Sequence, residues 1–336
     1  MIRIHVTYTG GTIGMVESPD GLVPGADLHG WLFRLLEQGS DLDPSKVSMS
    51  TLDPLVDSAN ADPTGWQAII DDLWRFHDSA DAFVVLHGTD TMAYTTSALT
   101  YALTGFGKPV VFTGSQHPLG RIESDATANV TGAFNAALSG QAEGVELFFG
   151  HHLFAGNRIT KTSSWAFEGF ESPVTGPVAQ SGTPWHWNHF DRSGKGWLDP
   201  RPYGRHDVAV LNMVPGIDAR RLEAMVTPRP EAVLIRAYGV GNIPDSEPGL
   251  TDVIQRVAGE GIPVVVCSQC QQAEVMLGRY QAGAGLAASG ACSAFDMTFE
   301  AVYAKLVFLL SQGLGPEQTT RWMGVSVAGE MNDLHE

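Results

Sequence analysis

Basic residues are scarce in this chain. Lys and Arg number 20 against 37 Asp and Glu, and the formal net charge is −17. A nucleic-acid partner calls for a basic face, and no run of Lys or Arg is present to form one, so that class is set aside. Cysteine is scarcer still. Cys267, Cys270 and Cys292 make an odd set that offers no disulfide framework. No apolar run approaches the ~20 residues that span a bilayer, so no membrane role is expected. The opening Met1-Ile-Arg-Ile-His-Val6 lacks a basic n-region, an apolar h-region and a small-residue cleavage site. These absences point to a soluble, reduced, cytoplasmic protein. There is no Gly-x-Ser-x-Gly elbow, no internal repeat and no low-complexity segment.

What is present is a folded, sizeable chain. With 336 residues, 43% of them hydrophobic and 17% charged, it has enough apolar material for two domains. Short β-branched runs bounded by Gly or Pro read as buried parallel strands: residues 2–8, 82–86, 110–113 and 146–149. Helical spacing fills residues 92–103 and 126–138. Strand–helix alternation of this kind implies an α/β fold with a larger, N-terminal, doubly wound and mostly parallel sheet. Residues 183–206 are rich in Gly, Pro, Trp and His and read as a linker. Alternation then resumes, with strands at 208–213, 232–235 and 263–267 and helices at 250–259 and 299–311. The expected domains are therefore 1–182 and a smaller α/β domain over 207–336.

Two hydroxyl-rich loops stand out: Thr9-Gly-Gly-Thr12-Ile-Gly14 and His87-Gly-Thr89-Asp90-Thr-Met-Ala-Tyr94. Each follows a predicted strand, where an open α/β sheet presents its reactive edge. A Thr there is backed by glycines and lies close to backbone N–H groups able to steady an oxyanion. Two such loops with an acidic partner suggest covalent chemistry on an acyl group. The bland alternatives stay open. The first loop fits neither the dinucleotide nor the P-loop pattern and can be an ordinary strand-to-helix turn. Asp90 can simply cap the helix that follows.

Other candidates are weaker. Lys161, in Asn157-Arg-Ile-Thr-Lys161-Thr-Ser-Ser164, is by default a solvated charge, but an uncharged Lys held beside Asp and Thr can accept a proton. Cys267-Ser-Gln-Cys270 has redox spacing, yet two small core residues are the simpler account. His151-His152 and His186-x-x-His189 lack the further ligands of a metal site and read as structural.

Taken together, these blocks resemble the bacterial-type L-asparaginase family, in its type I, cytoplasmic branch. The resemblance runs over nearly the whole chain. It rests on residues 8–15 and 86–95, Thr113-Gly-Ser-Gln116, Gly156-Asn-Arg158 with Lys161, residues 236–242 and Asp296-Met-Thr298. It implies that Thr12 attacks the side-chain amide carbon of L-asparagine to form an acyl-enzyme ester. Thr89, Asp90 and Lys161 then handle proton transfer, with backbone N–H groups around Gly88 and Thr89 as oxyanion donors. Substrate binding is implied for Gly11, Asp57, Ser58, Ala59, Gly88, Thr89 and Asp90. Asn242 and Glu274 are implied to reach a neighbouring subunit's site, in a tetramer or a dimer. Arg236 and Cys270 lie where some type I relatives hold a regulatory asparagine. Neither cofactor nor metal is called for.

One departure stands out. Many members place a Tyr in the mobile loop after the first motif, where this chain has Leu22. Leucine relays no proton; Tyr280 is the candidate replacement. Three other functions compete. A glutaminase or mixed asparaginase–glutaminase differs by one methylene of substrate. A tRNA-linked amidotransferase subunit is disfavoured by the acidic balance and by a chain that opens at its first strand. A non-catalytic amino-acid sensor is disfavoured by the intact Thr12, Thr89, Asp90 and Lys161.

Overall fold

The computed structural model describes residues 2–19, 21–39, 43–278 and 281–332. The chain divides into two units, Met1–Phe190 and Asp191–Glu336. The first runs β1 (Ile4–Tyr8), β2 (Met15–Ser18), β3 (Gly21–Pro24), α1 (Leu28–Gly39), β4 (Val47–Thr51), α2 (Pro63–Phe76), β5 (Ala82–Leu86), α3 (Met92–Ala102), β6 (Val110–Thr113), α4 (Ala126–Leu138), β7 (Val145–Phe149), β8 (His152–Ala155), β9 (Thr160–Lys161), β10 (Phe170–Glu171), β11 (Ala179–Gln180) and β12 (His186–Trp187).

Eight of these strands form one sheet in the order β12-β11-β8-β7-β6-β5-β1-β4. From β4 to β7 the neighbours are parallel, whereas β8, β11 and β12 extend the sheet antiparallel. From β1 the chain steps to one side, to β4, and then crosses to the other side, to β5. That reversal opens a crevice at the carboxyl ends of β1 and β5. Both hydroxyl-rich loops start there.

The two faces of β1 explain its sequence. Ile4, Val6 and Tyr8 join an apolar core with Val84, Leu86 and Val130. His5 and Thr7 point the other way, by the two-residue period of a strand, and are also buried. Polar groups so placed need partners. Nδ1 of His5 lies 2.8 Å from Ser48 Oγ, and Thr7 and Ser50 donate to Asp72 at 2.8 and 2.6 Å. Burial pushes the Asp72 carboxyl up, but the bonds from His5, Ser50 and Thr7 outweigh it and hold it below its ordinary value. This network fastens α2 across β1 and β4. Helix α2 itself begins with Asp62 accepting from the N–H groups of Thr64 and Gly65, and with Pro63 in its first turn.

Residues 183–190, the opening of the stretch expected as a linker, belong to the first unit. Strand β12 pairs with β11 at the edge of the large sheet. Trp185 stacks on Trp187 and packs against Phe148 of β7, so indole burial draws residues 183–190 into the first unit. Beyond them, Lys195 and Gly196 donate backbone hydrogen bonds to Ser326 and Val327 in the second unit. The stretch after the first motif, where relatives carry a mobile loop, is in its described residues the antiparallel hairpin β2–β3, with Glu17 opposite Leu22.

The second unit runs β13 (Val208–Asn212), α5 (Ala219–Met225), β14 (Ala232–Ala237), α6 (Leu250–Gly259), β15 (Val264–Ser268), α7 (Gln281–Ala288), β16 (Cys292–Ser293), α8 (Phe299–Ser311) and α9 (Pro316–Met323). Strands β13-β14-β15-β16 form a parallel sheet over a Val-, Ile- and Leu-rich core. Cys267 is buried and Cys270 exposed; burial pushes the Cys267 thiol up to about 12, which leaves it unreactive. No helix among the described residues is long and apolar enough to cross a membrane.

Lys305 and Glu330 form a fully buried ion pair 2.6 Å apart. The ammonium also donates to the carbonyls of Met323 and Val325, and the carboxylate accepts from the N–H groups of Val327 and Ala328. The pair thus anchors the 323–330 segment to α8. Lys305→Met would strand the Glu330 charge, and a loss of about 3–5 kcal/mol is expected on removing one partner of such a pair. Urea unfolding checks this; an unchanged midpoint would show that Glu330 finds another counter-charge.

Candidate active site

Three loops of the first unit meet at the crevice, and glycines set how closely. Gly10 and Gly11 follow β1 with φ of 121° and 95°, a region that L side chains enter only with strain. A methyl group on Gly11 would lie 2.4 Å from the Gly88 Cα, and one on Gly10 would lie 2.3 Å from the Val56 carbonyl oxygen. The loops after β1, β4 and β5 therefore touch backbone to backbone. The β6 loop joins them, since a methyl on Gly114 would lie 2.3 Å from the His87 carbonyl oxygen.

Thr12 opens a short 3-10 turn, Thr12–Gly14, and is half-buried. Its neighbour Gly11 is the residue that abuts Gly88, which brings the first Thr loop alongside the second. Thr89 is buried, and its Oγ1 accepts a hydrogen bond from Lys161 Nζ at 2.9 Å. The same ammonium pairs with Asp90 Oδ1 at 2.7 Å. An ammonium has only donors, so Thr89 is the acceptor and keeps its own hydrogen to donate. Thr91, not Asp90, precedes α3, and no side chain caps that helix. Asp90 faces Lys161 instead, so the capping reading is set aside.

Lys161 arrives from a different part of the chain, on the two-residue strand β9, paired with β10. The turn that follows it is held by Gln116, whose Nε2 donates to the carbonyls of Ser163 and Ala166. Gln116 is in turn fixed by Asp125, which accepts its backbone N–H at 2.9 Å. The resemblance singled out Thr113-Gly-Ser-Gln116 without a task; its packing supplies one.

Ser58 is buried, and its Oγ accepts the Asp90 N–H at 3.3 Å. Thr91 Oγ1 donates to the Ser58 carbonyl at 2.8 Å. Asp57 is exposed and caps its own turn through Ala59 N–H. The second unit carries the other expected residues. Asn242 closes a turn after β14 by exchanging two backbone bonds with Tyr238, and Glu274 is half-buried just before Val275. Arg236 lies with its guanidinium over the Phe299 ring at 4.7 Å. Tyr280 lies outside the described residues.

Residue type and spacing did not mark His87. It is buried, its Nδ1 lies 2.7 Å from the Gly88 carbonyl oxygen, and its Nε2 lies 3.1 Å from Thr95 Oγ1. Burial pushes the imidazole down to about 4, so it is neutral around pH 7.

Residues 3–191 match the family model for "Asparaginase, N-terminal", and residues 207–323 match that for "Glutaminase/Asparaginase C-terminal domain". L-asparaginase 1 of Escherichia coli (strain K12) is 37% identical, with 98% of this chain and 97% of that one covered. The crystal structure of L-asparaginase I from Vibrio cholerae O1 biovar eltor is similar with a TM-score of 0.86 at 35% identity, covering 98% of this chain and 99% of that one. The thermostable L-asparaginase from Thermococcus kodakarensis gives a TM-score of 0.84 at 28% identity, with the same coverage.

Gly11→Ala combines a strained φ with a clash against backbone, and a cost of about 1–3 kcal/mol is expected from the strain alone. Gly107 also has a positive φ, 73°, but a methyl there meets nothing within 4 Å. Gly11→Ala is therefore expected to lower the urea midpoint clearly more than Gly107→Ala. Equal losses would mean that the two loops can move apart freely.

Proposed function

The chain belongs to the bacterial-type L-asparaginase family, and from that membership we propose that it hydrolyses L-asparagine to L-aspartate and ammonia through an acyl-enzyme on Thr12. The observation that carries this is the Lys161–Thr89–Asp90 cluster, at 2.9 and 2.7 Å, set against the Thr12 loop by the Gly11–Gly88 approach.

An unassisted Thr hydroxyl is a weak nucleophile and needs a proton acceptor within reach. Thr12 Oγ1 attacks the amide carbon, and its proton leaves through the polar cluster. The tetrahedral oxyanion is met by backbone donors at the loop junction. The amide nitrogen takes a proton and departs as ammonia, leaving the ester on Thr12. Water then attacks that ester; one of its protons passes through the lone pairs of the Thr89 hydroxyl and Asp90 carboxylate to Thr12 Oγ1 as the ester C–O bond breaks, and aspartate is released. Thr89 is suited to this relay because it accepts from Lys161 while still holding a hydrogen of its own. Asp57, Ser58, Ala59 and Asp90 receive the substrate's α-amino and α-carboxylate groups, with Gly11, Gly88 and Thr89 lining the rest. Asn242 and Glu274 complete the site of a neighbouring subunit, in a cytoplasmic homo-oligomer, a tetramer or a dimer.

Glutamine is the rival substrate, since one methylene is worth only ~1–3 kcal/mol in a pocket. A regulatory asparagine site at Arg236 and Cys270 is supported by Arg236 Nε, which has no hydrogen-bond partner among the described residues. A hyperbolic saturation curve unchanged by Arg236→Ala would count against it.

Thr12→Ala is expected to abolish ammonia release while leaving the fold intact; near-normal turnover would remove Thr12 as nucleophile. Thr89→Val should lower kcat by ~10²-fold or more, as loss of a proton-transfer group does. Steady-state rates on both amides test the substrate assignment, and a larger kcat/KM for glutamine would reverse it. A crystal soaked with aspartate tests the binding residues.

A further inference from the structure

We infer that His87 is a positioning residue: its imidazole clamps the Gly88–Thr89 peptide so that the Thr89 N–H is presented to the oxyanion. The inference deepens the amide-hydrolysis reading above and rests on it.

The hydrogen-bond roles follow from the partners. A carbonyl oxygen only accepts, so Nδ1 of His87, 2.7 Å from the Gly88 oxygen, carries the hydrogen. Nε2 is then the acceptor of the neutral ring, and Thr95 Oγ1 lies 3.1 Å away to donate to it. Thr95 is itself fully buried, so one tautomer is held without competition from water. In a trans peptide the C=O and N–H point in opposite directions. With the Gly88 carbonyl turned onto the buried imidazole, the Thr89 N–H is turned away from it.

That N–H has no hydrogen-bond partner among the described residues, although Thr89 is only 6% exposed. A buried N–H left unmade is costly, and it persists only where the surroundings fix it. Gly88 cannot fix itself. It carries no side chain, and a methyl there would lie 2.5 Å from Ser58 Oγ. A peptide beside glycine also turns more easily than most. The imidazole supplies the restraint that the residue type lacks.

A cavity of 290 Å³ opens against His87, walled also by Thr9, Val56, Ser58, Trp66 and Ile69. It offers a way in for a small molecule should the imidazole be cut away, and this provides the test.

Ammonia release from L-asparagine is measured for wild type, His87→Ala and His87→Asn, with and without added imidazole. His87→Ala is expected to lower kcat by ~10-fold or more, short of the ~10²–10³-fold of deleting an oxyanion donor because the Thr89 N–H stays in the chain, while KM moves less than ~3-fold because ground-state contacts remain. Imidazole should raise the kcat of His87→Ala and leave wild type unchanged. His87→Asn keeps an N–H near the Nδ1 place and should retain more kcat than His87→Ala. A kcat for His87→Ala equal to wild type overturns the inference. So does a loss that neither imidazole nor Asn relieves, the result a merely structural histidine would give. Should His87→Ala fail to fold, Thr95→Val, which removes the donor to Nε2 along with that hydroxyl's bond to the Thr91 carbonyl inside α3, is expected to lower kcat by up to ~10-fold, about one hydrogen bond; an unchanged kcat there overturns the inference. If wild type releases no ammonia, the proposed function fails, and crystal structures decide this inference separately. A Gly88–Thr89 peptide that turns in His87→Ala supports it, and one that stays in place overturns it.

Discussion

Backbone-to-backbone approach at the carboxyl ends of β1, β4, β5 and β6 is the constraint on which the site depends. Gly10 abuts Val56, Gly11 abuts Gly88, and Gly114 abuts His87. Side chains anywhere along these seams would hold the loops apart by the width of a methyl group. Catalysis by positioning loses heavily when reacting groups shift by about 1 Å. The glycines therefore serve as spacers of zero thickness, and the parallel sheet beneath them supplies the rigidity. Strands β1 and β5 are buried at every position, so the loops are attached to the least movable part of the first unit.

Charge is placed with similar economy. The chain carries an excess of acids, yet among the described residues a cation, Lys161, sits between the buried Thr89 hydroxyl and the exposed Asp90 carboxylate. Gln116 and Asp125 keep that cation's turn in place through bonds to backbone rather than to the ammonium. His87 remains neutral because burial disfavours its charged form. A neutral imidazole offers a directional N–H instead.

Much of this arrangement was readable in advance, for identifiable reasons. Strands 82–86 and 110–113 and helices 126–138, 250–259 and 299–311 are apolar runs or periodic faces bounded by Gly, Pro or a cap, and the structure has the same bounds. Among the strands that escaped notice, β8, β11 and β12 are two to four residues long, too short for a period to register. The opening residues of the supposed linker, 183–190, pair and pack with the first unit, and Trp and His look alike in a loop and at a sheet edge. Only stacking of Trp185 on Trp187 and its packing on Phe148 distinguish the two.

By itself the sequence determined the α/β architecture, the two hydroxyl-rich loops and the resemblance that names Thr12, Thr89, Asp90 and Lys161. These depend on local pattern and on ordered motifs, which survive in one dimension. Only the tertiary structure decided that Lys161 donates to Thr89 across 72 positions of chain, that Asp90 pairs with it rather than capping α3, and that His87 grips the Gly88 carbonyl. Hydrogen-bond direction and burial are set by which strands lie side by side, and no spacing along the chain encodes that.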